Sequence, residues 1–182
     1  MFTSPFKNIS TKTDKKVTFS LFYLFIISVV VLKYFNIYLD NVSAPYGIFS
    51  FELAGSLDKS VEIINSWSPL AKTFAGLSLG FDFLFLIIYN FLIALLIHKL
   101  NERLWVGKSF YKIGELLIWA MFFTAIFDAV ENVSLIKLLV GKHEEYWSSI
   151  AFSFALAKFI MIGISILYLL SNTIVLLFKK RV

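Results

Sequence analysis

Four long apolar blocks, at residues 17–38, 78–98, 113–139 and 149–178, decide what this chain folds into. Each exceeds the ~18 residues that a helix rising 1.5 Å per residue needs to cross ~30 Å of hydrocarbon. The blocks predict helices, because an open strand leaves its backbone groups unsatisfied in lipid. The predicted fold class is therefore an all-α integral membrane protein, a four-transmembrane-helix bundle. Residues 1–16 form a polar tail, and residues 17–182 form one membrane domain.

Composition closes off the alternatives. Of 182 residues, 59% are hydrophobic and 16% charged, against ~45–50% and ~25% in an ordinary soluble domain. Mean hydropathy is +0.81. The formal charge of +5 comes from basic residues flanking the blocks, which suits anionic headgroups and gives no reason to expect a nucleic acid. The absence of cysteine excludes disulfides, Fe–S clusters and thiol nucleophiles. His98 and His143 are too few and too far apart for a metal cage, so no metal and no cofactor is expected. The first block is longer than the 7–15-residue core of a signal peptide, and its small-residue site Val42-Ser43-Ala44 runs into Pro45. It reads as a retained anchor.

Lysine and arginine set the orientation. Lys7, Lys12, Lys15, Lys16, Lys99, Arg103, Lys108, Lys112, Lys179, Lys180 and Arg181 fall on one side. Lys59, Lys72, Lys137 and Lys142 fall on the other. This bias predicts a multi-pass cell-membrane protein with both termini and the 98–112 loop in the cytoplasm. Trp105 and Tyr111 mark one boundary, and Tyr38, Trp67, Tyr146 and Trp147 the other.

Residues 39–77 form a long outer segment between the first two spans. Ser56, followed by Leu57-Asp58-Lys59, reads as a helix N-cap. Leu57, Val61, Ile64 and Trp67 then make one apolar stripe, with Asp58, Lys59 and Glu62 facing away. A short extracytoplasmic amphipathic helix is expected, ended by Pro69. Before it, residues 46–53 place Glu52 in an apolar run that suits a re-entrant turn.

Asp82, Asp128, Glu131 and Lys158 lie well inside apolar blocks. Each such charge costs about 2.5–3.5 kcal/mol at a span centre on the insertion scale. Counted from the basic flanks, Asp82 and Asp128 lie roughly 24 Å up, Glu131 near ~29 Å and Lys158 near ~31 Å. Three antiparallel helices thus bring ionisable groups to one level of the outer half. Thr124, Asp128 and Glu131 share a face with Asn132 at its edge. Ser78, Asp82 and Tyr89 form a second stripe, and Ala151, Ala155, Lys158 and Ser165 a third that permits close approach. The expected result is a buried polar pocket of Asp82, Asp128, Glu131, Lys158, Thr124, Asn132 and Tyr89, with Glu52 as a lid residue.

Three functions suit such a pocket. It can bind a lipid-like amphiphile, with Phe81, Phe83, Phe85, Phe122, Phe123 and Phe127 as walls. Asp128, Glu131 and Asp82 are then the candidate catalytic acids if acid/base chemistry follows. The same carboxylates can couple a proton or cation to transport, with a homo-oligomer completing the pathway, although no inverted repeat or broken helix pair is present. Finally, Lys158 can pair with the acids in a structural ion network of a scaffold or accessory subunit. Membrane lipids and a lipid-like small molecule are the expected partners.

The four spans, the chain length, the long outer segment and the acid at Asp82 together resemble the layout of the emopamil-binding and sigma-2-receptor family. That resemblance implies a sterol-sized ligand. The family's sterol isomerases use a membrane histidine, and none of the four spans here carries one in its interior, so isomerase chemistry does not carry over.

Overall fold

The computed structural model describes residues 3–8 and 11–179; of Thr11 only the backbone is described. Lys180 and Arg181, used above for orientation, lie outside these residues. Six helices follow in order: α1 (Thr11–Asn36), α2 (Ile48–Glu52), α3 (Leu57–Ser66), α4 (Pro69–Leu104), α5 (Tyr111–Leu139) and α6 (Glu145–Lys179). No strand occurs among the described residues. Helices α1, α4, α5 and α6 are each long and apolar enough to cross a bilayer. Helix α5 packs between α4 and α6, whereas α1 takes its helix packing from α4.

Several boundaries move. Helix α3 stops at Ser66, two residues before Ser68, and Pro69 also opens a helix: Ser68 accepts from the Ala71 amide at 3.2 Å and Pro69 takes the first position of α4. A proline there gives up an amide that has no intrahelical acceptor. At 36 residues α4 is about 54 Å long, well beyond a hydrocarbon core. Residues 11–16, grouped with the tail in sequence, are the first turns of α1, and Phe6 is buried among Ala94, Leu95 and Ile118.

Helix α3 forms as the N-cap at Ser56 predicts, with the Ser56 hydroxyl accepting from the Lys59 amide at 3.3 Å. Its buried face is Ser60, Ile63 and Ile64, so the stripe is rotated from the expected one, with Leu57 and Val61 only half-buried. The reason is a polar contact: Ser60 and Ser148 of α6 share a 3.1 Å hydroxyl hydrogen bond. Trp67 is buried too, its indole N–H donating to the Leu39 carbonyl at 2.9 Å, so it packs the core instead of marking a boundary.

Two apolar clusters result. One joins Phe51, Ile63, Ile64 and Trp67 to Leu79, Leu135 and Leu138 at the α2–α3 end. The other holds Phe6, Leu95, Ile97, Ile118 and Met121 toward the opposite end. The polar residues of α4, α5 and α6 lie between them.

Candidate functional site

At that level the side chains meet. Lys158 Nζ lies 2.7 Å from Asp128 Oδ1, 2.8 Å from Glu131 Oε2 and 3.5 Å from Glu52 Oε2. Exposure is 5% for Lys158, 1% for Asp128, 0% for Glu131 and 7% for Glu52. The Asp128 contact is also a hydrogen bond; the Glu131 contact lies within ion-pair distance without a hydrogen-bond angle. Lys158 further stands 5.1 Å from the Phe159 ring centre.

Each group arrives from a different element. Asp128 and Glu131 are one turn apart on the buried face of α5, and Lys158 follows Ala151 and Ala155 on α6, where the absent bulk lets the helices close. Tyr89 of α4 donates to Asp128 Oδ2 at 2.6 Å, so both oxygens of Asp128 are satisfied. Asp82, also on α4, accepts from Asn132 Nδ2 at 2.6 Å and makes no ion pair. Thr124 is buried and bonds back to the Ala120 carbonyl at 2.9 Å and to Met161 at 3.4 Å, one turn below the charges. Of the expected residues, Asp82, Asp128, Asn132, Lys158, Glu52 and Tyr89 border one cavity. Glu131 touches Lys158 from behind, and Thr124 does not border it.

Helix α2 delivers Glu52. Gly47, at φ +55°, sits against Asn36, whose Oδ1 accepts from the Ile48 amide at 2.9 Å; a Cβ at Gly47 would stand 2.1 Å from that oxygen. Only glycine fits both the left-handed backbone and the close approach. This joint turns Phe51 and Glu52 inward while Phe49 and Leu53 stay exposed. Burial pushes the Glu52 carboxyl above the usual carboxylate range, against the pull of the Lys158 ammonium. On the solvated side of α3, by contrast, Lys59 holds Glu62 below its ordinary value through a 2.9 Å contact.

The cavity has a volume of about 560 Å³, within the ~300–1,000 Å³ usual for small-molecule sites. Its aromatic lining is Phe25, Phe49, Phe85, Tyr89 and Phe159. Of the phenylalanines expected as walls only Phe85 is there; Phe81 packs on Phe35, Phe122 on Phe91, Phe127 on Phe154, Phe123 is exposed and Phe83 borders a separate groove. Sequence reasoning also missed Lys33 and Asn36 of α1, which line the cavity near its α2 end. Their signal was weak, because a lysine near a span end resembles any flanking charge. Among the described residues no cluster of three or more His, Cys, Asp or Glu side chains has a geometry for a metal ion.

Comparison with profiles of known protein families, with curated proteins and with solved structures finds no match.

Proposed function

We propose that the chain is a multi-pass membrane protein that binds a lipid-like amphiphile in the cavity between α1, α4 and α6. One observation carries this reading. A single cavity joins an apolar wall (Phe25, Val29, Phe85, Ile162, Ile166) to a polar end made of the buried Glu52, Asp128 and Lys158 and the half-buried Asp82. That gradient matches a molecule whose body lies among acyl chains while its head is held by fixed charges. The lysine and arginine bias supports an orientation with the termini in the cytoplasm and the α2–α3 segment outside, as for a cell-membrane protein with α2 as a cap dipping toward the polar end. Asp128 is doubly anchored, so it positions Lys158; Asp82, with one neutral donor, is the carboxylate left to meet a ligand group.

A second reading, a purely structural ion network, is favoured by the enclosure of Lys158 among three carboxylates. The experiment that separates them is native mass spectrometry of the protein extracted in a mild non-ionic detergent. Lipid-mass adducts that survive on wild type and are lost on Phe85→Trp, at unchanged melting temperature, support the amphiphile site. Adducts indifferent to Phe85→Trp overturn it.

A further inference from the structure

The charges around the cavity do not balance in place. Lys158 is surrounded by Asp128, Glu131 and Glu52. Among the described residues, Asp82 is left with only the neutral Asn132 amide, and Lys33, which borders the same cavity, makes no hydrogen bond or ion pair. These two opposite charges share one cavity without pairing to each other.

Their heights differ. Helices α1 and α4 run antiparallel, with Phe25 stacked on Phe85 at 5.6 Å and Phe35 against Phe74 and Phe81 at 5.8 and 6.3 Å. Lys33 therefore comes level with Ser78, which also lines the cavity. Asp82 is one turn, about 6 Å, closer to the apolar end formed by Phe25, Ile93 and Ile166. Apart from the Lys158–Asp128 pair, which lies deeper against Tyr89, the order of the remaining charges from the apolar end outward is hydrocarbon wall, acid, base.

We propose that the occupant is a zwitterionic amphiphile whose ammonium, next to its hydrocarbon chain, meets Asp82 and whose anion, farther out, meets Lys33 and Ser78. This rests on the reading of the cavity as an amphiphile site. A charge on the wall of an apolar cavity is stabilised by an opposite charge close to it, and a betaine-type head supplies both partners at once without adding net charge. A phosphocholine-type head carries its charges in the reverse order and fits worse. A singly charged head satisfies one wall and leaves the other alone.

The test compares four probes of equal chain length on the full chain in nanodiscs: an alkyl sulfobetaine, an alkyltrimethylammonium, an alkyl sulfate and an alkylphosphocholine. The sulfobetaine is expected to bind about tenfold tighter than each of the others. Lys33→Ala lowers affinity for the sulfobetaine and the sulfate about tenfold and leaves the trimethylammonium probe unchanged. Asp82→Asn lowers affinity for the sulfobetaine and the trimethylammonium probe about tenfold and leaves the sulfate unchanged. Lys33 is exposed and bonded to nothing, so its variant keeps the fold and the test stands even if Asp82→Asn does not express. Equal binding of all four probes, or no selective loss in Lys33→Ala, overturns the zwitterion assignment and leaves the amphiphile site standing. No binding of any probe overturns both.

Discussion

The Lys158 ammonium donates to Asp128 Oδ1 at 2.7 Å in a place where neither residue is more than 5% exposed. Removing the cation from such a site leaves uncompensated charge, and breaking a buried pair from one side costs about 3–5 kcal/mol. Lys158→Met is therefore expected to lower the melting temperature severely or abolish expression. Asp128→Asn should be far milder, because the amide still hydrogen-bonds and Glu131 and Glu52 still face Lys158. Thermal unfolding of the two variants in detergent reads the difference. Equal, severe losses favour the purely structural network.

Glu52 supplies a pH dependence. Its carboxyl is raised by burial in the folded state, so the fold prefers the protonated form. That stabilisation is fully present below the ordinary glutamate value of about 4.3 and is lost as pH rises through the raised value. Glu52→Gln imitates the protonated form at every pH. Melting temperature measured against pH should fall more steeply between acid and neutral for wild type than for Glu52→Gln. Parallel curves would remove Glu52 from the account.

Asp82 and Asp58 make a matched pair of controls. Asp58 stands exposed on α3, and its replacement by alanine should fall within about ±0.5 kcal/mol of wild type. Asp82→Ala strands the Asn132 amide it now accepts from and is expected to cost about 1–3 kcal/mol. Denaturation midpoints measured side by side decide the matter. A harmless Asp82→Ala would mean that the Asn132 contact has little weight.

Gly47→Ala tests the joint that aims α2. A Cβ there meets both a left-handed backbone and the Asn36 side chain, so a cost above about 1 kcal/mol is expected. Amide exchange should accelerate across residues 44–55 and leave α5 and α6 unchanged. Asn36→Ala, which removes the acceptor for the Ile48 amide, should give the same local pattern more weakly.

The convergence of Asp128, Glu131 and Lys158 was legible in sequence because charge in an apolar run is expensive, and counting residues from the basic flanks gives its depth. Glu52 was half-legible: the apolar run around it suggested an inward turn, but the contact with Lys158 depends on the Gly47–Asn36 joint, which pairs residues eleven positions apart. The start of α4 was misread because a proline closes one helix as readily as it opens another, and only the Ser68 cap decides which. The cavity wall was misread for a different reason. Phenylalanine suits lipid, core and ligand equally, so the pattern could not separate Phe85 from Phe123. Lys33 was hidden by its position near a span end, where lysines are ordinary.

Helix α1 takes most of its packing from one neighbour, α4, and most of its large side chains, Phe19, Phe22, Tyr23 and Val30 among them, are exposed. If α1 spans a bilayer as proposed, substitutions along that outer surface meet only lipid hydrocarbon, so one greasy residue should replace another there at almost no penalty. A saturation library of α1 should thus divide sharply, with broad tolerance on the outer flank and intolerance confined to the few positions, such as Ser28 and Asn36, that touch the rest of the chain.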